Sequence, residues 1–150
     1  MSYRFTLISA MYNVARYLPE YFESLERQTY GLSDVQIVLV DDGSTDETLA
    51  VAHDFARDRP NVVVTHRENR GQAAARNSGL ALAKGEWVSF PDPDDILEDA
   101  FLKAIAAAID GPNDADVYAG RVVCSRICGP GDGVETYAVG SVGRYSAGRD

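Results

Sequence analysis

Val35-Gln36-Ile37-Val38-Leu39-Val40 runs without interruption into Asp41-Asp42-Gly43-Ser44-Thr45-Asp46. A short apolar run suits a parallel strand buried on both faces, and a polar loop immediately after it is where open α/β sheets hold their ligands. The pattern recurs where Trp87-Val88-Ser89-Phe90 leads through Pro91 into Asp92-Pro93-Asp94-Asp95. Two acidic loops at one sheet edge imply a shared site. Crowded carboxylates repel one another, so the second cluster is easiest to explain if a hard cation neutralises it.

The flanking sequence alternates in the same way. Phe5 to Ser9 reads as a first strand, and Leu18, Tyr21, Phe22 and Leu25 recur at helical spacing within a helix from Tyr17 to Gln28. After the first acidic loop, Ser44 to Glu47 offer capping oxygens to a helix carrying Leu49, Ala52, Phe55 and Ala56, which Pro60 ends. Val62 to Thr65 is a third strand. An alanine-rich helix is expected from Gln72 to Ala83, closed by Gly85, and a helix from Leu97 to Ile109 follows the second acidic loop. Asp116 to Val123 looks like a fifth strand. The whole predicts an α/β fold, a Rossmann-like, mostly parallel sheet flanked by helices on both faces. Its bounds are 1–128, with a glycine-rich, irregular tail over 129–150 and a C-terminus that reads as incomplete.

The chain has 150 residues, 45% of them hydrophobic, which is one domain with enough apolar material for a core. With 14 basic and 23 acidic residues its formal charge is −9. That balance excludes nucleic acid as a partner and argues against an anionic membrane surface, so an anionic ligand needs a metal or local donors. No run reaches the roughly 18 apolar residues of a membrane span. The chain reads as cytoplasmic, with peripheral association at the inner face of the membrane left open. Cys124 and Cys128 lack Cys-x-x-Cys spacing and read as reduced thiols. His53 and His66 are too far apart in sequence to suggest a zinc site.

Other acidic α/β arrangements fit poorly. A phosphatase of the haloacid-dehalogenase kind wants Asp-x-Asp after a strand, but Val40 stands two before Asp42. A phosphoacceptor receiver needs a lysine after its last strand, and none follows Lys103.

Five strings taken in order carry a more specific likeness: Ser9-Ala10-Met11-Tyr12-Asn13; Val40 to Thr48; Asn69-Arg70-Gly71 with Ala75-Arg76-Asn77-Ser78-Gly79; Lys84-Gly85-Glu86-Trp87; and Phe90 to Asp95. Together they resemble family 2 glycosyltransferases of the GT-A fold, from residue 4 to about 110. The resemblance implies transfer of a hexosyl or N-acetylhexosaminyl group from a nucleotide-diphosphate sugar to a saccharide or polymer acceptor, as in the making of cell-envelope polysaccharide. It further implies Mn²⁺ or Mg²⁺ bridging the donor's phosphates, and inversion at the sugar. By similarity, Tyr12 packs on the base. Asp42 contacts the base, and Asp41 shapes the loop or meets the ribose. Asp92-x-Asp94 resembles the Asp-x-Asp element, with Asp94 binding the metal and Asp92 meeting ribose or a water beside the metal. Asp95 either ligates the metal or caps the next helix. Asp46 suits capping, and Trp87 suits the core.

Independently of the likeness, a strand-end carboxylate can accept from the imide N–H of uracil or from ribose hydroxyls, giving base or sugar selectivity. The two acidic loops and Tyr12 together lead to the expectation of a UDP-sugar. Arg76 can offset diphosphate charge or pair with a carboxylate. Removing the Asp42 carboxylate is expected to weaken nucleotide binding and leave the fold intact. The chain departs from the family at Ala10, where proline is usual, and nothing after Asp116 matches the segment carrying the catalytic base. Asp132 and Glu135 are the acids of the glycine-rich stretch. The alternative is a truncated or non-catalytic module that binds the nucleotide-sugar without the acceptor half.

Overall fold

The computed structural model describes residues 3–112, 116–119, 122–123, 136–137 and 141–144. Four parallel strands, β1 (Tyr3–Met11), β2 (Val35–Asp41), β3 (Val62–His66) and β4 (Gly85–Ser89), lie in the order β3-β2-β1-β4. Every residue of β2 is buried, as its unbroken apolar run requires. Helices α1 (Leu18–Glu26), α2 (Thr48–Ala56), α3 (Gln72–Leu80) and α4 (Phe101–Ile109) alternate with the strands.

The two faces divide by strand parity. Leu7, Ile37, Leu39 and Trp87 share one cluster with Leu18 and Leu25 of α1, Phe55 of α2 and Leu102 of α4. Ile8, Val38, Val40 and Val88 face the other way, against Ala75 of α3. The predicted apolar positions of α1 are all buried, and Pro19 stands in its first turn, where the missing N–H is not needed. Each such side chain contributes about 1.5–3 kcal/mol by leaving water. Tyr21 is pinned further: its hydroxyl lies 2.6 Å from the buried Ser9 Oγ of β1, and burial raises its phenol pKa.

Several boundaries differ from the sequence reading. The alanine-rich helix stops at Leu80 rather than Ala83, and Gly85 opens β4 instead of closing that helix. The cause is a buried polar network. Gln36 Oε1 accepts from Thr6 Oγ1 at 2.9 Å and from Lys84 N–H at 2.8 Å, while Gln36 Nε2 donates to Leu82 O at 3.1 Å. Gly85 N–H then donates to Thr6 Oγ1 at 2.9 Å. These bonds draw residues 82–85 off the helix and onto the sheet.

Likewise α4 begins at Phe101, not Leu97. Gln28, 5% exposed at the end of α1, accepts from Leu102 N–H at 3.0 Å and donates to Glu98 O at 2.7 Å. A side chain distant in sequence thus caps the helix, and the 97–100 segment packs on α1 as a loop. Asp95, expected as a capping alternative, lies too far upstream for that role.

The predicted fifth strand is split into β5 (Val117–Ala119) and β6 (Val122–Val123). Of the glycine-rich stretch 129–150, the described residues are β7 (Thr136–Tyr137) and β8 (Ser141–Arg144). β6 and β7 form a separate pair, whereas β8 runs antiparallel between β4 and β5, completing a six-stranded sheet β3-β2-β1-β4-β8-β5. Cys124, Cys128, Asp132 and Glu135 lie outside the described residues.

Two glycines measure how closely the layers approach. A Cβ at Gly85 would stand 2.5 Å from Phe5 C and 2.6 Å from Thr6 N, and one at Gly79 would stand 2.3 Å from Ile8 Cγ2. The first obstacle is backbone of a central strand and the second a side chain able to shift slightly. Gly79→Ala gains about 1 kcal/mol of helix propensity against about 1–3 kcal/mol of overpacking. Both substitutions are therefore expected to lower stability in urea unfolding, Gly85→Ala more than Gly79→Ala. The reverse order would contradict this packing.

Candidate functional site

The chain leaves β1, β2 and β4 on the same side of the sheet because these strands are parallel, and the loops that follow enclose a cavity of about 440 Å³. Its wall includes Met11, the last residue of β1, and Tyr12 just after it, Asp42 after β2, Asn69, Gly71 and Gln72 after β3, and Asp92 to Asp94 after β4. Tyr12 is 50% exposed, a large ring held at the edge of the cavity rather than in the core.

Asn13 staples the first two loops together. It adopts a positive φ of 51° and its Oδ1 accepts from Thr45 N–H at 2.8 Å and Asp46 N–H at 3.3 Å. Its own N–H donates to Ser44 Oγ at 3.0 Å. Asp46 accepts from Thr48 N–H at 2.9 Å and Ala15 N–H at 3.2 Å. Its slight burial works against the charged form, but these bonds prevail and hold the Asp46 carboxyl below the usual range. Asp46 therefore serves the start of α2, as its offset suggested.

Asp41 and Asp42 have different surroundings. Asp41 is fully buried, with His66 Nδ1 2.7 Å from Oδ2 and Ser44 N–H 3.4 Å from both oxygens. It is absent from the cavity wall. Of the two roles expected for Asp41, shaping the loop and meeting the ribose, these partners suit the first, because its carboxylate faces β3 and the 43–44 turn.

Asp42 is on the wall but is 3% exposed. Its Oδ2 accepts from Gly71 N–H at 2.8 Å and its Oδ1 from Arg70 N–H at 3.2 Å. Arg67 Nε lies 3.2 Å from Oδ1, and the same guanidinium donates to Ala74 O and, at 2.6 Å, to Ser78 Oγ of α3. Asp42 is thus also a structural residue, contrary to the expectation that its removal would spare the fold.

In the second acidic loop, Asp92 Oδ1 accepts from Arg76 Nη2 at 2.8 Å and Gln72 Nε2 at 3.1 Å. Arg76 also lies over the Phe90 ring, 5.9 Å from its centre. The expected cation is therefore present beside the cavity, but neutralised by Asp92. Asp94 is exposed on the cavity wall and makes no hydrogen bond or ion pair among the described residues. Asp95 is exposed and off the wall, its N–H donating to Asp92 O at 3.1 Å. Burial first, then the charges of Asp94 and Asp92, raise the Asp95 carboxyl above its usual range.

Among the described residues no three His, Cys, Asp or Glu side chains converge as a protein-only metal cage. An unpartnered carboxylate facing a cavity is nonetheless a fitting donor for a hard cation of the Mg²⁺ type, which takes one or two carboxylates and completes its shell with phosphate oxygens and water. Asn69, Gly71, Gln72 and Arg67 were not singled out from the sequence as site residues. The Asn69-Arg70-Gly71 string was the available signal, since a glycine between polar residues before a helix marks a backbone turned toward something.

A family model described as glycosyl transferase family 2 matches residues 6–141. The minor teichoic acid biosynthesis protein GgaB of Bacillus subtilis is 35% identical over 120 residues, covering 79% of this chain and 13% of that protein. The glycosyltransferase GlyG of Streptococcus pneumoniae is 37% identical over 122 residues, covering 81% of this chain and 40% of that protein. Among solved structures, residues 1–349 of S. aureus TarS in complex with UDP-GlcNAc superpose with a TM-score of 0.70 at 36% identity, over 78% of this chain and 33% of that one. The mannosyltransferase PcManGT of Pyrobaculum calidifontis, in complex with GDP-Man and Mn²⁺, gives a TM-score of 0.61 at 29% identity, over 83% of this chain and 36% of that one. The chain spans less than half the length of each of these proteins. With the sheet order, the two acidic loops and the match across residues 6–141 in agreement, the chain belongs to glycosyl transferase family 2 and has the GT-A fold.

Proposed function

We propose that this chain is the donor-binding domain of a glycosyltransferase that takes a nucleotide-diphosphate sugar, a UDP-sugar in the first instance. The observation that carries the reading is one cavity of about 440 Å³ faced by an aromatic ring, Tyr12, a nearly buried carboxylate, Asp42, and a carboxylate with no hydrogen bond or ion pair among the described residues, Asp94. Tyr12 offers its face to the base and Asp42 accepts the base N–H. Arg76 and Gln72 fix Asp92, so that it meets the ribose in one orientation. Asp94 holds Mn²⁺ or Mg²⁺, and such a cation supplies charge stabilisation to the departing diphosphate. The solved relatives include one holding UDP-GlcNAc and one holding GDP-Man with Mn²⁺, which supports a nucleotide-sugar donor and leaves the base to local residues.

The acceptor is a saccharide or envelope polymer hydroxyl, attacking with inversion. The teichoic acid relative supports that class of product. The carboxylate that would take the acceptor's proton is unassigned: Asp42 and Asp92 are engaged, and Asp132 and Glu135 lie outside the described residues. No helix among the described residues is long and apolar enough to cross a membrane. We place the enzyme in the cytoplasm, at the inner face of the membrane where envelope precursors are assembled.

Calorimetry should show UDP-sugar binding that requires Mn²⁺ or Mg²⁺, and absence of metal-dependent heat with every nucleoside diphosphate would overturn the reading. Radiolabelled-donor assays then separate function: hydrolysis or transfer supports an enzyme, and binding without turnover under any acceptor identifies a binding module.

Asp94→Ala should weaken Mn²⁺-dependent binding at least about tenfold, or about 1.4 kcal/mol. Its melting temperature should stay unchanged, since Asp94 makes no hydrogen bond or ion pair among the described residues.

Asp42→Ala should lose both affinity and stability, the latter by about 2 kcal/mol, as two backbone donors and Arg67 lose a charged acceptor. A melting temperature equal to wild type would contradict the structural role assigned to Asp42.

A further inference from the structure

On the reading of the cavity as a nucleotide-sugar site, we infer that residues 67–71 set its base selectivity by filling the paired acceptor edge of Asp42, leaving that carboxylate no second side-by-side pair of acceptors, which suits uracil and rejects guanine. Arg67 and Gly71 are positioning residues in this device. Neither needs to touch the base.

The chemistry is a count of acceptor sites. An ionised carboxylate has about four lone-pair positions on two oxygens. Two successive backbone N–H groups, those of Arg70 and Gly71, take one oxygen each, at 3.2 and 2.8 Å. This is the fork in which two adjacent donors are received side by side. The Arg67 guanidinium pairs with Oδ1 by charge, its Nε 3.2 Å away, while its Nε–H is donated to Glu68 O at 3.3 Å. With that edge filled, the lone pairs left on the two oxygens point apart, so the carboxylate offers a single acceptor at a time and no second side-by-side pair. Uracil presents one imide N–H between two carbonyls and needs one acceptor. Guanine presents a ring N–H beside an exocyclic amine and needs two acceptors together. At a residue only 3% exposed, a guanine amine without an acceptor loses its hydrogen bond to water and gains none, and sites discriminate strongly by such unpaired groups.

The holding geometry is specific to these residues. Gly71 has φ 90° and ψ 162°, a conformation open essentially to glycine alone, and this turns its N–H toward Asp42. A Cβ at Gly71 would meet nothing within 4 Å, so alanine there changes the backbone and not the packing. Arg67 bonds Ala74 O and Ser78 Oγ of α3 while facing Asp42. Lysine, a single point of charge, cannot reach both.

The test is the ratio of UDP to GDP affinity in the presence of Mn²⁺, measured by calorimetry on the wild type, Arg67→Lys and Gly71→Ala. The wild type should favour UDP at least about tenfold, and Arg67→Lys should bring the ratio to about threefold or less. Gly71→Ala should do the same and decides the matter should Arg67→Lys fail to fold. Weakening of both nucleotides with the ratio unchanged would make the two residues merely structural and overturn the inference. So would a wild type that binds GDP as tightly as UDP, though that result would leave the donor-site reading standing. A wild type binding neither nucleotide overturns both.

Discussion

Two adjacent carboxylates are buried at the end of one strand, Asp41 and Asp42 at 0% and 3% exposure, and the site is organised around satisfying them. Taking a charge out of water costs several kcal/mol unless partners replace the lost hydration. Each neighbouring segment supplies such partners: the 43–44 turn and His66 for Asp41, and Arg67 with the N–H groups of Arg70 and Gly71 for Asp42. The loop after β3 therefore lies against the end of β2 for an electrostatic reason. The cavity edge it forms follows from this, because Asn69 and Gly71 reach the wall only when residues 67–71 fold over Asp42.

The alternation of strands and helices was legible because apolar periodicity reports burial, and burial on both faces of β2 leaves an unbroken apolar run. The acidic loops were legible because carboxylates in series after such a run have few structural uses. Long-range side-chain bonds left no local mark. Gln28 caps α4 across more than 70 positions of sequence, and Gln36 ends the turn after α3 through Lys84 and Leu82. Glutamine in a buried position looks, in sequence, like any polar residue on a helix or strand. The role of β8 was hidden for a different reason: Gly140 and Gly143 dilute the apolar signal, and an antiparallel strand inserted between β4 and β5 comes from a segment distant in the chain. For the site, Tyr12, Asp42 and Asp94 lie on the cavity wall and Asp41 does not, and sequence spacing says nothing about which way the Asp41 carboxylate turns.

The charge balance constrains how an anionic donor can be held. The chain carries a formal charge of −9, and the nearest fixed cation at the second acidic loop, Arg76, already neutralises Asp92. Asp94 and Asp95 add uncompensated negative charge, and the upward shift of the Asp95 carboxyl registers their repulsion together with its burial. A diphosphate brought there would meet net repulsion. In the proposed donor site a divalent cation held by Asp94 would reverse the sign. A cation of the Mg²⁺ type takes one or two carboxylates and completes its shell with phosphate oxygens and water, so the proposal needs no preassembled cage of three or more protein ligands.

The two acidic loops are linked by one rigid element. Arg67, paired with Asp42, is anchored to Ala74 and Ser78 of α3, and Arg76 and Gln72 of the same helix hold Asp92. Ala75, on the inner face of α3, packs on Ile8 and Val40, and Gly79 lets the helix lie close enough to do so. The spacing between the Asp42 carboxylate and the second acidic loop is thereby set by the seating of a single helix on the sheet. A donor has a fixed distance from base to diphosphate, so a rigid ruler between the two loops favours ligands of that length. The buried side of α3 and its cavity side are one constraint: loosening the helix at Gly79 or Ala75 shifts Arg67 and Arg76 together, and with them both carboxylates that they orient.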